Sequence, residues 1–162
     1  MRISVALVTF VSCVLWLASC GGEPPRRPNI LHPVDERRAF ELIKRVFDEA
    51  GLTVEKGRGE AVRGRSFAVG QAASGHKYGV VYLTHEEQMS LGDSIPNHDS
   101  NPEALVVVDT EAGDRILVLY ERDYMTDDLE GDAHSTTTIA AEAKIERDAR
   151  DFLLKAVRDK WP

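Results

Sequence analysis

Between Asp35 and Ala50 the apolar residues Ala39, Phe40, Ile43, Val46, Phe47 and Ala50 return at three- and four-residue spacing, with Leu42 at the edge of the stripe. Glu36, Arg37, Arg38, Glu41, Lys44, Arg45 and Asp48 fill the other side. That is the period of an amphipathic helix packed by one face. Asp35 stands where a capping side chain is wanted, and Gly51 where the chain must turn left-handed past the end. Residues 52–55 read as the start of a first strand, residues 56–65 (KGRGEAVRGR) as a turn, and residues 66–72 as a second strand. Residues 78–83 (YGVVYL) predict a third. Thr84 followed by Glu87 matches a capping box and predicts a short helix over 85–91, stopped by Gly92. Residues 104–109 (ALVVVD) and 115–121 (RILVLYE) are apolar at successive positions and are joined by a short glycine-containing link. They read as a hairpin whose strands are covered on at least one face. A helix over about 137–160 closes the chain, with Ile145, Ala149, Phe152, Leu153, Ala156 and Val157 as its stripe and a threonine cluster suited to capping ahead of it.

Strands flanked by helices in this order predict an α+β domain over residues 35–162: an antiparallel sheet of about five strands packed against an N-terminal and a long C-terminal helix, both on one face. Tyr78, Tyr82, Tyr120 and Tyr124 fall on or beside strands, where core packing and a ligand-lining role are both open to them. Trp161 is expected to fold back on the core.

The pattern ahead of this domain is different. Met1 and Arg2 give a short positive start, and residues 3–17 (ISVALVTFVSCVLWL) form an apolar run too short to span a bilayer, which needs roughly 20 such residues. Ala18 and Ser19 follow, then Cys20 and Gly21. A charged start, a short apolar core and small residues describe an export signal. Leu17-Ala18-Ser19-Cys20 resembles the lipobox of bacterial lipoproteins. The resemblance covers the leader only. It implies that residues 1–19 are a signal peptide and that Cys20 is lipidated after cleavage, leaving the protein anchored in the cell envelope. Gly21 is not the aspartate associated with inner-membrane retention, so the outer membrane is the expected address, facing periplasm or exterior. Residues 20–34 carry four prolines and two glycines and read as the lipidated cysteine and its tether.

The formal charge of the whole chain is −7. Nucleic acid is therefore a poor candidate partner, because phosphate binding needs a basic face. Both cysteines, Cys13 and Cys20, lie in the leader region, so the body has neither a disulfide nor a thiol nucleophile. Residues 84–134 hold fourteen acids against two arginines, Arg115 and Arg122, and include two loops, 93–103 and 123–132. Such a block is either solvated surface or a contact region for a cation or a cationic partner.

No catalytic set is complete. Asp123, Asp127, Asp128, Glu130 and Asp132 crowd one loop, but an EF-hand begun at Asp128 meets Ala133 where glycine belongs and no glutamate at its end. His85-Glu86-Glu87 opens like a metalloprotease helix, yet Met89 stands where the second histidine is needed. The metal candidates are therefore His85, His98, Asp99, Asp128, Asp132 and His134, which require the two acidic loops to meet. Asp109 and Glu121 offer a paired-carboxylate site if the hairpin brings them together. No nucleophile elbow or phosphate loop is present, and no cofactor is implied. The expected function is a membrane-anchored envelope lipoprotein whose body binds a ligand or another envelope protein without catalysis. The alternatives are a metal-dependent hydrolase, a divalent-cation-binding protein, or a structural tether.

Overall fold

A computed structural model describes residues 30–55, 57–96, 104–127 and 138–162. Its class is the expected α+β. The elements in chain order are β1 (Leu31–Pro33), α1 (Glu36–Glu49), β2 (Val54–Glu55), β3 (Arg58–Val62), β4 (Arg65–Val69), β5 (Gln71–Ala73), β6 (Tyr78–Leu83), α2 (His85–Leu91), β7 (Val106–Asp109), β8 (Arg115–Tyr120), β9 (Met125–Asp127) and α3 (Thr138–Arg158). Short 3-10 turns cover Gly92–Ser94 and Glu121–Asp123.

Helix α1 starts and stops as its sequence dictates. The Asp35 carboxylate accepts from the Arg38 N–H at 3.2 Å, satisfying one of the donors the first turn leaves open. Gly51, at φ +75°, lets the chain leave, and the Leu52 N–H reaches back to the Phe47 carbonyl at 3.0 Å. In α2 the capping box forms in both directions: Thr84 Oγ1 accepts from the Glu87 N–H and Glu87 accepts from the Thr84 N–H.

The central sheet has five strands in the order β2-β5-β6-β8-β7. It is mixed rather than wholly antiparallel, because β6 and β8 run parallel from Tyr78↔Arg115 to Leu83↔Tyr120. The β7–β8 hairpin docks through its second strand. Five of the six residues of β8 are buried, whereas β7 has one buried residue in four, so the more apolar strand takes the inner place. No periodicity in the sequence decides which arm of a hairpin goes inside.

Both long helices lie on one face, as expected. Ile43 and Phe47 of α1 and Ile145 and Phe152 of α3 pack with Tyr78, Val80, Tyr82, Leu117 and Leu119 of the sheet. Arg38 forks onto Glu142 at 2.7 and 2.8 Å, Arg45 bonds Glu146 at 2.8 Å, and Arg150 bonds Glu49 at 3.2 Å. The partners advance together along both helices, which therefore run in the same direction. Trp161 returns to this core and packs edge-on against Phe152. Val157, expected in the buried stripe, is 75 % exposed, and Ala141 is buried at the other end of α3.

The other face of the sheet is also covered. Val62 and Val69 of a β3–β4 hairpin and Leu91 of α2 join Val81, Leu83, Ile116, Val118 and Tyr120 in a second core. This hairpin occupies most of what reads as a turn in the sequence. Its bend is confined to Arg63 and Gly64, both at positive φ, the conformation that two-residue hairpin loops require. The expected strand over 66–72 is interrupted at Gly70, where pairing passes from β3 to β6. Residues 125–127, expected in the second acidic loop, instead pair with β1 as β9. Among the described residues no helix is long and apolar enough to cross a membrane.

Candidate functional site

Of the expected metal candidates only His85 lies within the described residues. His98, Asp99, Asp128, Asp132 and His134 lie outside the described residues, as do Cys20 and most of the two acidic loops. His85 is exposed at the start of α2. Among the described residues no three histidine, aspartate or glutamate side chains converge on a metal position. The paired-carboxylate arrangement does not form. Asp109 sits opposite Arg115 at one end of the hairpin and Glu121 follows the far end of β8, roughly 20 Å away by strand rise. On α3, Glu142 is held by Arg38 and Lys144 by Asp148.

A cleft of about 560 Å³ opens elsewhere, where α1 passes over the junction of β4 and β5. Its volume lies within the usual span for small-molecule sites. Glu36, Phe40 and Lys44 descend one side of α1 at four-residue spacing, which sets a wall about 12 Å long. Ala68, Val69, Gly70 and Gln71 form the facing wall and floor, with Tyr82 behind them and Glu87 contributed by α2.

The floor depends on Gly70. A Cβ there would lie 2.0 Å from the Phe40 ring, so only glycine lets the ring stand directly over the strand junction. Tyr82 is 1 % exposed, its ring closed within the core and its hydroxyl spent on the Val34 carbonyl at 2.8 Å. Burial, with Glu121, Asp35 and Glu36 nearby, pushes that phenol far above its ordinary value.

Gln71 is the anomaly. It is 1 % exposed, and its Oε1 is buried with no hydrogen-bond partner. A buried polar atom left unpaired costs about 1–3 kcal/mol, so such atoms are rare in folded proteins. Leucine or methionine would fill the same space without that cost.

The charges along the cleft are also uneven. Arg37 pairs with Glu41 at 3.4 Å and Lys44 with Asp48 at 2.5 Å, so the bases are matched by acids of their own helix. Glu36 makes no hydrogen bond or ion pair with the described residues. Burial, then repulsion from Glu87 and Asp35, raises its carboxyl above the usual range. Two acceptors of the cleft, the buried Gln71 Oε1 and the exposed Glu36 carboxylate, are thus without a donor among the described residues.

A second polar cluster lies between α3 and the sheet and is closed. Asp148 accepts from the Tyr124 hydroxyl at 2.8 Å, from Lys144 at 3.1 Å and from Arg147 at 3.2 Å. Burial and the Asp148 carboxylate drive the Tyr124 phenol well above its usual value, so it stays a donor. Arg58 does similar work on the other face, its guanidinium lying 2.9 Å from Glu60 and 2.6 Å from Asp114 and fastening the β3–β4 hairpin to the β7–β8 loop by ion pairs. Both clusters hold elements together and offer no room for a ligand.

Sequence reasoning missed the cleft. Phe40 was legible as a core position and Tyr82 as a strand aromatic, but Gln71 gave a single clue: a lone amide within an otherwise apolar strand segment, beside a glycine. Compared with protein-family models, with curated proteins and with solved structures, the chain matches none.

Proposed function

We propose that this chain is an envelope lipoprotein, cut before Cys20, lipidated on that thiol and held at the outer membrane, and that its folded body is a non-catalytic binding module. The leader's charged start, short apolar run and Leu17-Ala18-Ser19-Cys20 support the anchor. Lipid chains contribute about 0.8 kcal/mol per buried CH₂, so two or more acyl chains on one cysteine make a lasting attachment.

The observation that carries the binding role is the unpartnered Gln71 amide at the floor of a roomy cleft. A purely structural core has no use for that group, whereas a binding site does. The ligand would enter between α1 and the β4–β5 junction and lie against Phe40. The acids between 84 and 134, of which Glu87 lines the cleft, would then bias the approach toward positively charged partners.

The test is a fragment screen by NMR on the full chain in detergent, with mass spectrometry of the processed N-terminus alongside. Shifts of the Gly70 and Gln71 amides on ligand addition, with acyl mass on Cys20, are expected. An unmodified Cys20 would remove the anchor. Fragments that bind elsewhere and leave Gly70 and Gln71 untouched would remove the site.

A further inference from the structure

We propose that the cleft takes a protonated primary amine carried on a compact apolar body; the inference rests on the cleft being the binding site. Two acceptors there, one buried and one on the exposed rim, are open to a donor. Gln71 Oε1 is buried without one. Glu36 has no cation beside it among the described residues, and its neighbours Glu87 and Asp35 are also acids. One oxygen of Glu87, Oε2, is committed to the Thr84 N–H and hydroxyl, which fixes its carboxylate in place at the cleft's edge.

The cations that line the cleft do not supply the need. Arg37 is turned outward, with 88 % of its side chain exposed, and bonds Glu41; Lys44 bonds Asp48. An anionic ligand would meet Glu36 and Glu87 and leave Gln71 unsatisfied. A neutral apolar ligand would cover the Phe40 ring but satisfy neither acceptor. An ammonium group has three donors and a positive charge, and answers both demands. Its apolar body would lie against the half-buried Phe40 ring, whose face favours a nearby cation. A free amino-acid ester, an alkylamine and the N-terminus of a short peptide share this chemistry.

The experiment titrates the full chain in detergent with n-hexylammonium, n-hexanol and n-hexanoate, probes of one length and three charges, reading the Gly70 and Gln71 amides by NMR. Hexylammonium is expected to bind at least about tenfold more tightly than hexanol, the equivalent of one well-placed charge contact, and hexanoate not at all. Glu36→Gln should remove that tenfold advantage and leave hexanol binding as it was, and Glu36→Lys should admit hexanoate. Melting curves of both variants check that the fold persists. If hexanol or hexanoate binds these amides as tightly as hexylammonium, or if Glu36→Gln leaves the preference intact, the amine assignment fails while the cleft remains a site. If none of the three probes moves Gly70 or Gln71, the cleft itself fails.

Discussion

On the side of α1 that meets α3, the ion pairs of Arg38 with Glu142, Arg45 with Glu146 and Glu49 with Arg150 register the two helices against each other. Beneath them Phe47, Ile145 and Phe152 close a core with no exposed surface. On the side that meets the β4–β5 junction, Glu36 is unmatched, Gln71 is buried with an idle oxygen, and the walls stand apart. The same helix therefore has one interface whose polar groups are paired and one that leaves polar groups unpaired. Folded proteins pair their buried polar groups almost without exception, so an unpaired one marks a place where something other than folding has set the residue.

The comparison is sharpened first by breaking the paired side. Phe152 is fully buried between Tyr78 and Trp161, and Phe152→Ala should cost about 3–5 kcal/mol in chemical denaturation, enough to threaten folding altogether. Asp148→Ala removes the acceptor of a buried Tyr124 hydroxyl and should cost about 2–3 kcal/mol by the same measurement. A loss under 1 kcal/mol would show that water replaces the carboxylate and that this cluster is less closed than it looks.

Acid titration separates the two sides by sign. Arg38 holds the Glu142 carboxyl below its ordinary value, so this pair stabilises the fold above the unfolded-state pKa and loses its effect as pH falls through the lowered one. Glu36 has a raised pKa, so its charge opposes folding above that value and the penalty is relieved as pH falls through it. Glu142→Gln should lower stability at neutral pH by at most about 1 kcal/mol, as expected of a partly exposed pair, and weaken the acid dependence. Glu36→Gln should leave neutral-pH stability unchanged or slightly higher. Parallel denaturation series at pH 7 and pH 4 read both effects, and matching signs for the two variants would contradict the contrast.

How much of this was visible in the chain follows from what each feature depends on. Helix α1, helix α2 with its capping box, strand β6 and the β7–β8 hairpin are local, and their periodicity and punctuation are written in consecutive residues. The β3–β4 hairpin was misread because its strand residues are charged. Arg58 and Glu60 look like turn residues until each is seen to satisfy the other, with Asp114 arriving from a distant loop. The parallel register of β6 and β8 is set by competition between strands for the centre, which no single segment encodes. The cleft is less legible still. It is defined by Phe40 lying over Gly70, thirty residues on, and by the absence of a partner for Gln71, which only an arrangement in space can reveal. The lipobox-like Leu17-Ala18-Ser19-Cys20 is the opposite case, a resemblance carried by four consecutive residues.

Chemical denaturation of Gln71→Leu probes the interface with unpaired groups most directly. Swapping the amide for an apolar group of similar size removes an unsatisfied oxygen, so stability should hold or rise by up to about 1 kcal/mol, while hexylammonium binding weakens. A fall of 2 kcal/mol or more would mean that the amide is already satisfied within the fold. Gln71 would then be an ordinary core residue, and the cleft would lose the feature that sets it apart from the helix interface behind it.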